Sequence, residues 1–187
     1  MITTRFDLPI LDWIAAHLRC PFLDAVMPAI TFLGDGGWLW IAMALVFLFF
    51  PKLRKTGIAM GIGLLLGALC ANVILKPLVG RIRPFDYQWL HFGRIVELLI
   101  KAPTDPSFPS GHTMASVVCA TVLLLRHRQQ ALPAAVLAAL IAFSRLYLYV
   151  HYPTDVLFSA ALGIVIGLCA HYFVNKGFSL YAQKKST

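Results

Sequence analysis

The chain has 187 residues, of which 59% are apolar and 13% charged, and a formal net charge of +8. Typical soluble domains are about 45–50% apolar and about 25% charged, so a soluble core could not hide this much apolar surface and a bilayer is the expected solvent. The cations fall in short clusters between apolar runs, a pattern that excludes a continuous nucleic-acid-binding face and fits membrane topology and anionic lipid headgroups.

In chain order, residues 7–19 (DLPILDWIAAHLR) place Leu8, Leu11, Ile14, Ala15 and Leu18 at helical spacing, interrupted by Asp12, His17 and Arg19, which predicts an amphipathic helix lying in the interface. Pro21 starts a new element, and 22–34 is a short first apolar segment, below the roughly 20 residues that a crossing needs. The GDGG at 34–37 reads as a turn, followed by a second segment at 38–50 with Trp38 and Trp40 as expected interface anchors. A basic loop at 51–56 leads into a third segment at 57–75, where Gly63 and Gly67 form a GxxxG spacing for close helix packing. Residues 76–111 read as a long polar loop with five prolines. Within it Phe85, Tyr87, Trp89 and Phe92 suit membrane anchors, with a lid as the alternative. The fourth segment is 112–125, the fifth 131–150 and the sixth near 154–174, ahead of a basic tail. The expectation is one all-α domain over 1–187, a polytopic membrane helix bundle of about six transmembrane helices plus the N-terminal interfacial helix. Cys20, Cys70, Cys119 and Cys169 lack CxxC spacing and read as small buried apolar residues, and no cleavable signal peptide is expected from MITTRFD.

Six crossings require both termini on one side. Counting cations with the termini cytoplasmic puts Arg5, Arg19, Lys52, Arg54, Lys55, Arg126, Arg128, Lys176, Lys184 and Lys185 inside, and Lys76, Arg81, Arg83, Arg94, Lys101 and Arg145 outside, a bias that supports a cytoplasmic N-terminus. The outside cations crowd against the ends of apolar segments, where they do not serve topology, and this suggests an anionic ligand.

Three polar seams share that outer face. In KPLVGRIRP (76–84), Lys76 and Arg83 lie about two helical turns apart and could share a face, although Pro77 disturbs that geometry, and snorkelling cations explain the stretch equally well. In PSFPSGH (106–112), Ser110 suits an N-cap for a helix starting at Gly111 or His112, and the free amides there form an anion site that Gly111 leaves open to close approach. A plain helix cap accounts for that stretch when it is read alone. In SRLYLYVHYPTD (144–155), Arg145 ends the fifth segment, Pro153 suits a first helical position, and Asp155 can reach back to His151, leaving its other imidazole nitrogen nucleophilic. Two His, one Asp and three cations fit phosphoryl transfer without a metal, since Asp86, Glu97, Asp105 and Asp155 show no ligand spacing.

The chain here resembles the type 2 phosphatidic acid phosphatase family, which includes membrane lipid phosphatases and vanadate haloperoxidases. That family's pattern is K-x6-RP, PSGH and SR-x5-H-x3-D, and Lys76 to Arg83-Pro84, Pro109 to His112, and Ser144-Arg145 to His151 and Asp155 match it in order. The resemblance implies His151 as the nucleophile that forms a phosphohistidine, Asp155 as its partner and His112 as the general acid. It also implies Lys76, Arg83, Ser110, Gly111 and Arg145 as phosphate ligands, with no cofactor and no metal. Arg81 falls outside the pattern and is expected to be solvated; His17, His91, His127 and His171 are expected to be structural or surface residues. The implied protein is an integral-membrane phosphatase, expected in a bacterial cytoplasmic membrane, with its site on the extracytoplasmic side. Undecaprenyl diphosphate, phosphatidylglycerophosphate and phosphatidate are its candidate substrates. A haloperoxidase and a headgroup-binding carrier or flippase are the alternatives, the first opposed by the apolar segments and the second by the complete acid–nucleophile pair.

Overall fold

The computed structural model describes residues 3–186, apart from the side chains of Gln130, Lys185 and Ser186; Lys185, counted above among the inside cations, is therefore placed by its backbone alone. Every regular element among these residues is helical. A π-helical turn at Thr3–Asp7 leads into α1 (Leu8–His17), followed by α2 (Pro21–Phe32), a 3-10 turn at Asp35–Gly37 and α3 (Trp38–Phe49). Next, α4 (Arg54–Ala68) continues through a π-helical stretch at Leu69–Leu75 into α5 (Lys76–Val79). Four helices complete the chain: α6 (Pro84–Phe92), α7 (Gly111–Arg126), α8 (Arg128–Tyr147) and α9 (Pro153–Ser186). The boundaries follow local chemistry. Proline opens α2, α6 and α9 at the first turn, where its missing N–H is no loss. Gly80 and Gly93 close α5 and α6 at φ +57° and +62°, in the left-handed region that ends helices.

The protein is an integral membrane protein. The helical stretches Arg54–Phe92 and Pro153–Lys184 are long and apolar enough to cross a bilayer, and α2 with the 3-10 turn and α3 passes as a third span bent by 41°. The shorter helices α7 and α8 are also apolar. Helix α7 lies at the centre, against α4, α8 and α9. The core around it includes Trp40, Met60, Cys119, Val122 and Ile141. Large apolar side chains such as Leu65, Val73, Leu157 and Phe173 point outward, as in a bundle whose outer solvent is lipid.

Close contact runs through small residues. A Cβ on Gly63 would lie 2.6 Å from Val118 Cγ1, and one on Gly67 would touch Met114, so the GxxxG spacing serves the α4–α7 contact. Gly163 and Gly167 give α9 the same closeness to Met114, Val117, Val118 and Thr121 of α7.

The bundle has two distinct ends. One gathers Lys55 over Phe178, Thr56 against His127, and Arg126 bonded to Asn175. The other gathers the three polar seams. From that second end the chain runs away along α2–α3, back along α4–α5, away along α7, back along α8 and away along α9. The expected first and second crossings at 22–34 and 38–50 are thus two 12-residue helices in one broken pass. Each is about 18 Å long, against a hydrocarbon core of about 30 Å.

Several expectations need correction. Asp7, Asp12 and Arg19 bond to Thr154, Arg94 and Glu97 at the polar-seam end, whereas α9 runs 34 residues to the opposite end. The described N-terminal segment and the end of α9 therefore lie at opposite ends of the bundle. Charge counting misplaces Arg5 and Arg19 because it cannot detect that α2 and α3 share one pass. Trp40 is no interface anchor, since it is fully buried with Nε1 donating to Ser116 Oγ at 2.9 Å. Only Cys119 is buried, while Cys20 and Cys169 are exposed, because an apolar helix position can face lipid as readily as protein. The long loop contains α5 and α6. Phe85 and Tyr87 of α6 pack against Leu8, Leu11, Tyr149 and Tyr152, whereas Trp89 and Phe92 remain exposed.

Two glycines of α4 provide a test of this packing. A Cβ on Gly57 would stand 2.5 Å from the backbone oxygen of Ala44, while one on Gly61 meets nothing within 4 Å. Gly57→Ala should destabilise the detergent-solubilised protein by about 1–3 kcal/mol, and Gly61→Ala should be neutral or stabilising by up to about 1 kcal/mol. The thermal unfolding midpoint should fall in Gly57→Ala and hold or rise in Gly61→Ala.

Candidate active site

Helix α7 begins where Ser110, in an extended conformation, accepts the Thr113 amide at 3.4 Å and the Thr113 hydroxyl at 3.0 Å. The Ser110 amide donates to Ser159 Oγ at 2.8 Å, which ties the cap to α9. Gly111 follows with open space where a Cβ would be, so the first turn of α7 presents its amides to the cavity.

His151 reaches the same cavity by a different route. Helix α8 ends at Tyr147, and Tyr149 takes φ +59°, a left-handed conformation that is unusual for a bulky residue. The amides of Val150 and His151 then fold back onto the Arg145 carbonyl at 3.2 and 3.3 Å. The Tyr149 side chain is fully buried, its hydroxyl donating to Asp12 at 2.8 Å and accepting from Gln88 at 2.7 Å. This corner aims His151 inward, with 2% of its surface exposed. Its Nδ1 faces Asp155 Oδ2 at 3.6 Å, and its Nε2 lies 3.4 Å from a terminal nitrogen of Arg83.

Asp155, in the first turn of α9, is fully buried. Its Oδ2 accepts from the Ser107 hydroxyl at 2.5 Å and the Tyr152 amide at 3.0 Å, and its Oδ1 pairs with Arg81. Arg81 is not the solvated side chain expected. It bridges Asp155 and Asp7 (2.6 Å), donates to Thr154 and Thr3, and stacks over the Tyr152 ring at 3.8 Å. Asp7, also fully buried, accepts the Thr154 amide at 3.0 Å and so caps α9 from the N-terminal segment.

The other cations converge from three elements. Lys76 and Arg83 do not share a helix face, because Gly80 ends α5 and the chain is extended at Arg83; both meet on Asp105. Arg83 donates to the Asp105 carbonyl, the Asp105 carboxylate and the Val150 carbonyl, each at 2.7 Å. Burial pushes the Asp105 carboxyl up, but hydrogen bonding and charge from Lys76 and Arg83 outweigh it and hold the group at about 2. Arg145 is 3% exposed, donates to Thr31 at 2.5 Å and lies 3.4 Å from His112 Nε2, and its buried Nε has no hydrogen-bond partner among the described residues. His112 Nε2 also meets the Asp35 carboxylate at 2.7 Å.

Lys76, Arg83, Gly111, His112, Arg145 and His151 therefore line one cavity of about 1220 Å3. It continues between α3 and α4, past Ile41, Leu45, Ile62 and Leu65, as far as Leu48 and Gly57. Many of these apolar residues are exposed on the outer face of the bundle, so the cavity opens sideways. Along α4 and the π-helical stretch that continues it, the distance from Gly57 to Lys76 is roughly 25 Å. The geometry offers an anion cradle beside two imidazoles, continuous with an apolar trough. Among the described residues, no three His, Cys, Asp or Glu side chains group as metal ligands.

Sequence reasoning brought every motif residue to this end but missed four partners. Arg81 stands in the same RIR stretch as Arg83, between Gly80 and Pro84, and that second Arg was the available signal. Asp7, Asp35 and Asp105 lie in a helix entry, a turn and a loop, where a carboxylate is ordinary. The four non-motif histidines have structural partners, such as Thr56 for His127 and the stacked Tyr87 for His91.

Two predictions rest on these contacts. Burial pushes the His151 imidazole down to about 3, with the Arg145 and Arg83 charges adding and Asp155 opposing. The unfolded chain would take up a proton near pH 6.5 that the folded one does not, so stability should fall as pH drops from about 6.5 toward 3. Between pH 7.5 and 5 the loss traceable to this group should be about 2 kcal/mol, seen as a smaller pH effect on the unfolding midpoint in His151→Gln. Separately, Asp7→Asn leaves Arg81 half paired and should destabilise by about 3 kcal/mol. A double change with Arg81→Met should then cost less than the sum of the single changes, as a double-mutant cycle would measure.

Residues 56–179 match the PAP2 superfamily. The chain is 32% identical over 127 residues to an undecaprenyl-diphosphatase of Sulfolobus acidocaldarius, covering 67% of this chain and 59% of that relative's length. It is 32% identical over 152 residues to the undecaprenyl-diphosphatase BcrC of Bacillus subtilis, covering 78% of this chain and 72% of the relative. The crystal structure of a transmembrane PAP2-type phosphatidylglycerolphosphate phosphatase from Bacillus subtilis superposes with a TM-score of 0.69 at 28% identity, covering 90% of this chain and 84% of that one. With six motif residues, Lys76, Arg83, Gly111, His112, Arg145 and His151, gathered on one cavity and the match spanning most of the sequence, the chain belongs to the PAP2 superfamily.

Proposed function

We propose that the protein hydrolyses a lipid phosphate or diphosphate at the membrane through a phosphohistidine intermediate. The observation that carries this reading is the continuity of the cavity. Lys76, Arg83, Arg145 and the first turn of α7 surround space for a phosphate, and the walls beyond it are the apolar faces of α3 and α4. A phosphate monoester on a lipid tail fits both halves. The relatives described above are named for an undecaprenyl diphosphate and a phosphatidylglycerolphosphate, and both lipids join a phosphate-bearing head to an apolar tail.

The proposed chemistry assigns one step to each imidazole. His151 Nε2 attacks phosphorus while Asp155 stabilises the charge that develops on the ring. The bond from phosphorus to the leaving oxygen breaks, its electron pair stays on that oxygen, and His112 Nε2 supplies the proton. Water then attacks the phosphohistidine, His112 takes up the proton it lost, and phosphate departs with His151 restored. Lys76, Arg83, Arg145 and the amides beginning at Gly111 offset charge on the equatorial oxygens throughout, and Ser110 holds that first turn. Burial keeps His151 uncharged and therefore nucleophilic at neutral pH.

For orientation, we place the site end on the extracytoplasmic side, with the end of α9 in the cytoplasm. Setting aside Lys76, Arg81, Arg83 and Arg145, which serve the site, the site end carries Arg5, Arg19, Arg94 and Lys101. The opposite end carries Lys52, Arg54, Lys55, Arg126, Arg128, Lys176, Lys184 and Lys185, and this excess marks the cytoplasmic face.

Phosphate release by the detergent-solubilised protein should be supported by at least one of undecaprenyl diphosphate, phosphatidylglycerophosphate and phosphatidate, and should persist in EDTA. His151→Ala should lower it by about 1000-fold or more. Full release by a folded His151→Ala protein would remove the nucleophile assignment.

A further inference from the structure

Asp35 stands apart from the other carboxylates at this end of the bundle. Asp7 and Asp155 are fully buried and paired with Arg81, and Asp105 is clamped by Lys76 and Arg83. Asp35 lines the cavity with 54% of its side chain exposed, and His112 is the ion-pair partner found among the described residues. Its carboxylate contacts His112 Nε2, the same nitrogen that lies 3.4 Å from Arg145. That nitrogen faces the phosphate cradle, so Asp35 sits on the side where the leaving oxygen departs. The GDGG turn fixes this placement. Gly36 and Gly37 take φ +57° and +72°, folding the chain tightly between α2 and α3, and a Cβ on Gly34 would come within 2.8 Å of the His112 ring.

We infer that Asp35 selects the leaving group, favouring lipid phosphomonoesters that depart as plain alcohols over lipid diphosphates that depart as phosphates. This inference rests on the lipid-phosphatase reading above. Two arguments support it, both from the chemistry of the leaving oxygen. An alkoxide is strongly basic and needs a proton as its bond to phosphorus breaks, and the Asp35 carboxylate favours a proton on His112 Nε2 until the leaving oxygen takes its place there. A phosphate is a weak base that leaves without that proton, so it gains little from an acid. It also carries charge on the oxygens of the phosphorus next to the leaving oxygen, and that charge would develop beside the Asp35 carboxylate. The cations within reach of His112 already surround the phosphate under attack. Lys101 is the remaining cation lining the cavity, and its use as a second-phosphate ligand would produce the opposite preference.

The test uses a matched pair of lipids, phosphatidate and diacylglycerol diphosphate with identical acyl chains. Initial kcat/KM would be measured in mixed micelles for wild type, Asp35→Asn and Asp35→Glu, with product lipids resolved so that a second cleavage is not counted. Wild type should favour the monoester at least tenfold. Asp35→Asn should lower the monoester-to-diphosphate ratio at least tenfold, and Asp35→Glu should keep it on the wild-type side. Any loss of folded protein cancels in that ratio. A wild-type preference for the diphosphate, or a ratio that Asp35→Asn leaves unchanged while phosphate is still released, would overturn the Asp35 assignment alone. Release from neither lipid by wild type, nor from phosphatidylglycerophosphate or undecaprenyl diphosphate, would overturn the lipid-phosphatase reading and this inference with it.

Discussion

Arg81, held between two fully buried carboxylates, is the interaction on which the site end depends. The surroundings are apolar helices, so Asp7 and Asp155 cannot stay charged there without a cation and hydrogen bonds. Arg81 supplies the charge and stacks on Tyr152, while Ser107, Thr154 and the Tyr152 amide fill the remaining acceptor positions. Neutralising Asp155 in this way joins four distant parts of the chain: the N-terminal turn, the segment after α5, the loop before α7 and the start of α9. An ion pair adds little net stability in such a setting. What it contributes is uniqueness, because a shift of any one segment would strand a buried charge.

The same reasoning accounts for the second cluster. Arg83 and Lys76 are satisfied by Asp105, but among the described residues Arg145 keeps a buried Nε without a partner, and the first turn of α7 faces open space at Gly111. The site end is thus neutralised for structure while an unmatched surplus of positive potential remains at the cavity. An anion entering it meets donors that are already oriented, so little reorganisation opposes its binding or the charge that develops during transfer.

Much of this was legible in sequence, for physical reasons that differ from residue to residue. Ser110 and Pro153 announce helix starts through their own backbone chemistry, and the spacing from Arg145 to His151 to Asp155 is local enough to survive any packing. Apolar runs reveal helices but not direction of travel. Nothing local says that 22–34 and 38–50 form one bent pass, and that single ambiguity moved the N-terminal helix to the wrong end in the cation count. Trp40 and the cysteines show a related limit, since hydropathy cannot tell a lipid-facing position from a protein-facing one. Arg81 and Asp105 were hidden because their partners lie 74 and 22 residues away.

The strained corner at Tyr149 links packing to chemistry. A left-handed tyrosine is unfavourable, and it persists because its ring is buried and its hydroxyl is held by Asp12 of α1 and Gln88 of α6. Release of either partner would let Tyr149 relax toward an ordinary φ, and the following residues would rotate with it. His151 is only two positions further on, so its angle of entry is set by contacts that come from the interfacial helix rather than from the cavity. The amphipathic helix is therefore more than a membrane float. Through Asp12 it fixes the corner before His151, and the turn leading into it fixes Asp155 through Asp7 and Arg81. Both halves of the His151–Asp155 pair are held from the N-terminal segment, which explains why a bundle that could cross the membrane without that segment folds it tightly onto the site end.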